Sequence, residues 1–360
     1  MANYKEIKTE KLKEFCIKIF CSYGLSAEES GIVTDVLLRA DLYGIESHGV
    51  QRLIRYHNEV RAGMFDVQGK PEIIHESPIS AVIDAHKTMG QLAGVKAMNL
   101  AIEKARNHGC GMVSVRNSNH YGIAGYYSNM AAEQDLIGIC MTNSEAIAVP
   151  TFGREAMIGT NPIAVAMPAE PVNFSYDAAT TVVPRGKLEV YNKNNKAMPE
   201  QWALDAAGNI STNAGEVLYN IIHKAGGGIA PLGGVGELFG GHKGYGFGII
   251  VDLFTAVFSG GLTSNYVNTT PGLNGICHCF IAIDYGIFGN KAEIKRRVSV
   301  FLQELRDSKK AEGQNRIYTH GEKEKEMMEV RLNGTIPVNE KTYKELLDIA
   351  AAQGVVYDLS

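Results

Sequence analysis

The chain has 360 residues, of which 45% are hydrophobic and 21% charged, so it is long enough for two globular domains. Its formal net charge of −4 excludes the basic surface that general nucleic-acid binding requires, and we expect no nucleic-acid partner. The longest apolar stretch, residues 247–258, is too short to span a bilayer and contains Asp252, so no membrane segment is predicted. The six cysteines lack zinc-type spacing and the first residues show no apolar signal core, which indicates reduced thiols and a cytoplasmic location.

The first 65 residues have a helical pattern. A stripe of apolar side chains predicts a helix around residues 12–20, and Ser26 with Glu29 forms the capping-box signature that opens a second helix. A third helix is predicted over residues 47–61, with Ser47 as its N-cap.

From about residue 71, short strands alternate with helices, which is typical of an α/β domain. We predict strands at residues 81–85, 111–115, 136–141, 163–167, 173–177 and 277–284, and helices at 94–108, 126–134, 244–258, 292–306 and 339–352. Residues 186–228 are polar and are predicted to form a long excursion with little sheet. We therefore expect an α/β domain with a central mixed sheet over residues 71–289, and a helical domain built from residues 1–70 plus 290–360.

The segment most suggestive of chemistry is Ser47-His48-Gly49, followed by Arg52. Four residues apart on the first turn of the predicted helix, His48 and Arg52 point the same way and can face one small ligand. The imidazole exchanges protons near neutral pH, and the guanidinium can grip a carboxylate with two hydrogen bonds. This combination predicts a site for a small acid. The alternative is a helical histidine with no chemical role.

Three other polar segments lie next to predicted strands, and each has two interpretations. His120 follows the strand at 111–115, where α/β folds often bind ligands, but the asparagines around it also suit a plain turn. Thr160 and Asn161 form a tight turn that either donates to a substrate oxygen or has no role beyond the turn. Asp177 ends a strand among small residues, where it can orient a catalytic histidine or cap a neighbouring element.

Residues 233–246 are rich in glycine but do not form a Rossmann fingerprint. The spacing Gly234-x-Gly236-x-x-x-Gly240 has one residue too many, and Pro231 stands where a strand should run. The glycines still allow backbone to approach a phosphate, with Lys243 supplying charge at the start of the helix that follows.

Cys277-His278-Cys279 invites a metal interpretation. On a strand, however, the imidazole of His278 points away from both thiols, so the three side chains cannot close on one ion. We predict no metal site.

Taken together, these segments resemble the malate/L-lactate dehydrogenase family that is unrelated to the Rossmann-type lactate and malate dehydrogenases. The resemblance covers nearly the whole chain and is carried by residues 41–52, 119–122, 159–162, 177–181, 186–187, 231–234 and 241–246. It implies the family's own α/β fold, an NAD(P)-binding sheet domain without the Rossmann fingerprint, and a homodimer with active sites near the subunit interface. It also implies reversible hydride transfer between NAD(P)H and a 2-oxo acid, giving a 2-hydroxy acid.

The resemblance also implies roles for individual residues. His48 matches the proton donor and acceptor, with Asp177 as its partner, and we expect that carboxylate to raise the pKa of His48. His120 matches the base of ureidoglycolate-type members, so the two histidines compete for that role. Matches to substrate contacts are Arg52, Thr160, Asn161 and Met141. Matches to cofactor contacts are Ser144, Phe174, Ser175, Tyr176, Asp177, Ala178, Ala179, Thr180, His242, Lys243, Gly321 and Glu322. The chain departs from the family pattern at His320 and at Ala179-Thr180-Thr181, which concerns the cofactor contacts and not the acid–base chemistry.

The resulting prediction is an NAD- or NADP-dependent oxidoreductase acting on malate and oxaloacetate, or on lactate and pyruvate. Oxidation of ureidoglycolate or sulfolactate, or reduction of a cyclic imine such as piperideine-2-carboxylate, stays open on the same fold. From a different class, His48, His120 and His242 suit a hydrolase or a metal enzyme. Such an enzyme would neither bind nor oxidise NADH.

Overall fold

A computed structural model describes residues 3–359 of the chain. In chain order its helices and strands are β1 (Tyr4–Lys8), α1 (Thr9–Ser22), α2 (Ala27–Leu42), α3 (Leu53–Arg61), β2 (Glu72–Glu76), β3 (Ser80–Asp84), α4 (Gly90–His108), β4 (Cys110–Ser118), α5 (Ala124–Ala132), β5 (Ile137–Thr142), β6 (Ile163–Met167), β7 (Phe174–Ala178), α6 (Arg185–Lys193), β8 (Ala203–Leu204), α7 (Ala214–His223), β9 (Gly228–Ile229), α8 (Gly241–Asp252), β10 (Ile276–Ile283), α9 (Lys291–Asp307), α10 (Glu322–Leu332), β11 (Thr335–Asn339) and α11 (Glu340–Ala352).

Both ends of the described chain meet in one helical layer. Its buried cluster joins apolar side chains of α1, α2 and α3 to those of β11 and α11. The predicted capping box is present, because the Ser26 hydroxyl accepts the N–H of Glu29 while the Glu29 carboxylate accepts the N–H of Ser26. Sequence patterning missed the antiparallel pair β1–β11, since Ile7 is the only buried side chain of β1 and no alternation shows.

The centre of the molecule is a mixed sheet, as predicted, and it has seven strands, one more than the sequence indicated, because β2 was not predicted. Its strand order is β2-β3-β4-β10-β5-β6-β7, in which β3 and β4 are parallel and the other neighbours antiparallel. Helices α4 and α5 cover one face. On the other face α8 continues into a π-helical turn, Leu253–Val257, whose Phe254 packs on the sheet.

The Cys-His-Cys segment lies on β10, where the alternation of a strand separates its side chains. The imidazole of His278 bonds to the hydroxyls of Thr142 and Ser118 at 2.7 and 2.8 Å. Its two cysteine neighbours are buried free thiols. Within residues 3–359 no group of three or more metal-binding side chains is close enough to hold an ion.

The polar stretch between β7 and α8 contains more structure than predicted. It forms a small unit of two helices, α6 and α7, beside the very short pair β8–β9. Leu188, Val217 and Ile221 are buried in its own apolar cluster. Lysines and asparagines around α6 make the stretch polar on average, and this hid the pattern.

The domain division at residues 70/71 and 289/290 stays a prediction, and its residues 1, 2 and 360 lie outside the described part. Helix α9 takes no part in the buried cluster of the helical layer. Its one buried residue, Leu302, is not a member of that cluster. Among residues 3–359, no helix combines the length and the apolarity that crossing a bilayer requires.

Candidate active site

The segment that carries His48 is not the first turn of a helix, as predicted from sequence. It forms two short 3-10 turns, Glu46–His48 and Val50–Arg52, which are separated by Gly49 with φ −87° and ψ −149°. The cause is Asp41 near the end of α2. Its carboxylate accepts the N–H of Val50 at 2.7 Å. The same carboxylate occupies the space beside Gly49, because a Cβ placed on Gly49 would lie only 1.9 Å from one of its oxygens.

The fold brings the two predicted histidines together. The rings of His48 and His120 are nearly parallel, with their centroids 5.6 Å apart and their planes at 24°. Ser47 is not an N-cap; its hydroxyl lies 2.9 Å from Nδ1 of His48. The hydroxyl of Tyr56 lies 2.7 Å from Nδ1 of His120. Among residues 3–359, none hydrogen-bonds to Nε2 of either ring, so both Nε2 atoms are available to a ligand.

Both imidazoles are neutral at pH 7 in the free protein. Burial, Arg52 and Arg55 together lower the pKa of His48 to about 4. Burial, the same arginines and the ring of His48 hold the pKa of His120 well below its usual value. Each ring keeps some accessible surface, but the protein around it still makes the charged form costly.

Asp177 is not the partner of His48. Its carboxylate accepts the N–H of Gly125 at 2.7 Å, at the start of α5. The protein around this carboxylate raises its pKa to about 6, although the side chain keeps an exposed surface. The expectation that Asp177 raises the pKa of His48 is therefore wrong, because the charges that act on His48 are those of Arg52 and Arg55, and they lower it.

The side chain of Arg52 is oriented by a backbone carbonyl of the preceding turn. Its Nε donates to the carbonyl oxygen of Ser47 at 2.6 Å, and no other described residue accepts from the two terminal nitrogens. The fork of the guanidinium is thus free to bind a carboxylate next to His48. Arg185 and Glu189, both on α6, act on the pKa of Arg52, which shows that α6 lies on the same side.

Thr160 and Ser144 meet in a second cluster, at the ends of β5 and β6. The Ser144 hydroxyl accepts the N–H of Thr160 at 3.0 Å and lies 3.3 Å from the Thr160 hydroxyl. Thr180 is tied to the same turn, since its N–H donates to the Thr160 carbonyl at 2.8 Å. Residues from three predicted segments therefore converge here.

Asn161 does not fit the predicted role in substrate binding. Its side chain is fully buried, and its amide nitrogen donates to the Gly248 carbonyl and the Asp252 carboxylate, both at 3.0 Å. Its amide oxygen accepts from the backbone of Ser144 and the hydroxyl of Ser264, both at 3.2 Å. All four hydrogen-bonding positions are used, so Asn161 holds the turn in place instead.

Met141 does not fit its predicted role either. It is buried in the apolar cluster between the sheet and α8, together with Val251 and Cys279. Alternation along β5 directs it to that face.

The predicted cofactor residues at 174–180 and 321–322 lie side by side. The N–H of Ser175 donates to the His320 carbonyl at 3.0 Å, and the ring of His320 packs against those of Phe174 and Tyr176. His320, which departs from the family pattern, thus joins the two segments. Glu322 is less suitable, since its buried carboxylate already binds Arg316 and Thr319.

A cavity of about 310 Å³ opens next to this junction, at the lower end of the range for small-molecule sites. Its lining includes Ser175 and Gly321 together with Arg39 and Lys325. Nε of Arg39 is buried there without a hydrogen-bond partner. The size and the lining of this cavity fit one part of a dinucleotide.

The glycine-rich segment serves backbone packing. A Cβ on Gly241 would lie 2.0 Å from the Gly234 carbonyl oxygen, and one on Gly244 would lie 2.3 Å from that of Leu232. The glycines thus let the start of α8 touch the preceding loop. His242 and Lys243 are exposed in the first turn of α8, where the helix N-terminus favours anions.

Sequence reasoning missed two residues that shape the site. Tyr56 follows Arg52 by four residues, a helical spacing that signals a shared face. Asp252 lies within an apolar run, and a lone acid in such a run indicates a buried polar network. It accepts from Asn143, Asn161 and Ser264.

Comparisons with known proteins agree with this arrangement. The family model described as malate/L-lactate dehydrogenase matches residues 7–347. The chain is 46% identical over 354 residues to malate dehydrogenase of Pyrococcus horikoshii, covering 98% of this chain and 97% of that one. It is 37% identical to L-sulfolactate dehydrogenase of Methanocaldococcus jannaschii, covering 97% of each chain. The crystal structure of malate dehydrogenase from Entamoeba histolytica matches with a TM-score of 0.94 at 34% identity, covering 98% of this chain and 99% of that one. The chain therefore belongs to the malate/L-lactate dehydrogenase family and is an oxidoreductase.

Proposed function

We propose that this protein is a nicotinamide-dependent 2-hydroxy-acid dehydrogenase that interconverts malate and oxaloacetate. The observation that carries the proposal is a neutral imidazole, His48, placed beside the free guanidinium fork of Arg52. One group exchanges a proton and the other binds the acid, as reduction of a 2-oxo acid requires. The full-length similarity to malate dehydrogenases supports this substrate.

In the oxidation direction His48 is ready to act as the base. Arg52 binds the substrate carboxylate, and Nε2 of His48 accepts the proton of the 2-hydroxyl group while the hydride leaves the same carbon. A neutral imidazole suits this step, because a protonated one has no lone pair to accept the proton.

In the reduction direction His48 must carry a proton, and substrate binding provides for this. The arginine charges that lower the pKa of His48 are offset when an anionic substrate binds Arg52. Binding of either acid then raises the pKa of His48 towards neutral pH, so the ring can hold the proton that passes to the carbonyl oxygen of the oxo acid and can release its proton before it accepts that of the 2-hydroxyl group.

The charges favour a substrate with two acid groups. Both Arg52 and Arg55 act on His48, and a dianion such as oxaloacetate offsets more of this positive field than pyruvate does. Sulfopyruvate has the same charge, and the similarity to L-sulfolactate dehydrogenase makes it the second candidate.

The bound nicotinamide supplies or accepts the hydride, and the protein's contribution is binding and orientation. We propose that residues 174–180 and Gly321 hold this cofactor, with Ser144, His242 and Lys243 as further contacts. Thr160 is proposed as a further contact of the substrate. Both NAD and NADP are compatible with these residues.

We further propose a cytoplasmic homodimer formed through α8 and the turn that follows it. Large apolar side chains are exposed along this face, namely Phe247, Ile250, Leu253, Val257 and Phe258. Soluble chains rarely leave such a contiguous patch uncovered, and a second copy presenting the same patch covers it symmetrically.

The test is an assay of purified protein with NADH and NADPH separately against oxaloacetate, pyruvate, sulfopyruvate, oxalurate and piperideine-2-carboxylate. We expect the highest kcat/KM with oxaloacetate. His48→Ala should abolish turnover without changing cofactor affinity, measured by the fluorescence of the reduced cofactor. His75→Ala, on the exposed strand β2, is the matched control and should behave as wild type. If none of the 2-oxo acids is reduced with either cofactor, the proposal is wrong.

A further inference from the structure

The surroundings of His120 determine which of its ring nitrogens carries the proton. The backbone N–H of Gly122 points at Nδ1 of His120 at a distance of 3.4 Å. A backbone N–H can only donate, so Nδ1 must present a lone pair. Gly122 makes this possible because it has φ +90°, a conformation that other residues rarely adopt. The neutral ring therefore carries its proton on Nε2.

Tyr56 makes a shorter contact with the same ring nitrogen. Its hydroxyl lies 2.7 Å from Nδ1 of His120, and its ring is fully buried. Because the Gly122 N–H contact needs a lone pair at Nδ1, the Tyr56 hydroxyl is the donor in this bond, and burial raises the pKa of Tyr56, so the hydroxyl keeps the proton that it shares with Nδ1.

The loop that holds His120 has little freedom. The Asn119 amide donates to the carbonyl oxygens of Lys87 and Thr88 at 2.8 and 2.9 Å, and it accepts from Asn274 at 2.6 Å. The backbone of this loop packs directly on Gly90, where a Cβ would lie 2.2 Å from the Asn119 carbonyl oxygen. The backbone that carries His120 is thus held in place, and none of residues 3–359 hydrogen-bonds to Nε2 of its ring.

We propose that His120 acts as a neutral hydrogen-bond donor, whose Nε2–H stabilises negative charge on the reacting oxygen of the substrate, and that Tyr56 is the positioning residue that fixes this tautomer. This inference rests on the proposed function and assigns the two histidines different tasks. His48 exchanges the proton with that oxygen, whereas His120 keeps its own.

The charges around the pair favour this division. His120 faces Arg52 and Arg55 from α3 and its preceding turn, the ring of His48, and the ring of His278 from the sheet; none of these is an anion. Two imidazolium ions 5.6 Å apart next to two arginines would repel strongly, so only one ring becomes charged when the acid binds. A fixed neutral donor aimed at a developing oxyanion is worth about 100- to 1000-fold in kcat.

Substitution of His120 by two different amides separates the two roles. The amide nitrogen of glutamine reaches the position of Nε2, whereas asparagine reaches only that of Nδ1. His120→Ala should lower kcat about 100-fold or more. His120→Gln should recover at least about 10-fold of this loss, and His120→Asn should recover none. If the glutamine variant is as inactive as the alanine variant, His120 exchanges the proton and the proposal is overturned.

Tyr56→Phe tests the positioning residue. We expect kcat to fall about 10-fold while KM for the cofactor stays unchanged and the pH profile keeps the ionisation of His48. An unchanged kcat, or a cofactor KM that rises as much as kcat falls, overturns the assignment.

The tautomer can be observed without any turnover. In protein labelled with ¹⁵N-histidine, the ring signals that disappear in His120→Gln belong to His120. At pH 7 we expect them to show a neutral ring protonated at Nε2 in wild type, and a mixture of tautomers in Tyr56→Phe. A ring protonated at Nδ1 or at both nitrogens overturns the inference. Since this readout needs no substrate, it separates failure of this inference from failure of the proposed reaction.

Discussion

Replacing Gly49 by alanine tests whether the contact between Gly49 and Asp41 sets the position of His48. The backbone of Gly49, with φ −87°, poses no obstacle to alanine. The obstacle is the Asp41 carboxylate, whose oxygens would lie 1.9 and 2.3 Å from the new methyl carbon. Either the carboxylate moves and loses the Val50 N–H, or the turn that carries His48 and Arg52 moves instead.

The expected magnitudes follow from this overlap. Adding a methyl group to a tightly packed site lowers the free energy of unfolding by about 1–3 kcal/mol. The effect on activity should be larger, because a displacement of about 1 Å in a catalytic group can lower the rate about 100-fold. We therefore expect kcat/KM for the 2-oxo acid to fall about 100-fold in Gly49→Ala while the fold is retained.

The assay pairs urea denaturation with steady-state kinetics. Gly31→Ala is the matched control, since a Cβ at Gly31 meets nothing within 4 Å and alanine is the better residue inside α2. It should be as active as wild type and up to about 1 kcal/mol more stable. A Gly49→Ala protein with wild-type stability and activity refutes the role given to Asp41.

Three further predictions concern the acid site, the buried carboxylate and the exposed helix. Arg52→Lys should raise KM for the oxo acid at least about 10-fold, because lysine cannot form the two-pronged contact; an unchanged KM removes Arg52 from the site. Burial raises the pKa of Asp41 from 3.8 to about 7, so this group makes the free energy of unfolding fall as the pH rises through that interval. Asp41→Asn should flatten this dependence in denaturation curves recorded between pH 4 and 8, and an unaltered dependence contradicts the assignment. Ile250→Asp should convert a dimer into monomers in analytical ultracentrifugation, whereas Val330→Asp, exposed on α10, should not; a wild-type protein that is monomeric contradicts the interface.

The sequence predicted the parts of the fold that depend on local periodicity. In the central sheet, six of the seven strands lie within a few residues of the predicted ranges, namely β3, β4, β5, β6, β7 and β10. The helices α4, α5, α9 and α11 do so too, because the apolar side chains of these elements repeat with the period of the element. The break at Gly49 escaped this reasoning, since it depends on a carboxylate of another helix. For Asn161 and Met141, resemblance indicated that the segments matter but not which way the side chains face. The side-chain amide of Asn161 is hydrogen-bonded to Asp252, and the thioether of Met141 lies under α8.

The support beneath His48 comes from a part of the chain that is synthesised long after it. Arg331 on α10 donates to the carbonyl oxygen of Asp41, the residue that holds the Val50 turn, and β1 is completed only by pairing with β11. On the ribosome, the segment bearing the imidazole therefore emerges early and stays unsupported until residues 331–339 have followed. A message cut short between residues 322 and 331 yields a polypeptide with every proposed reactive group but without this support, so catalysis itself reports that translation has passed those residues.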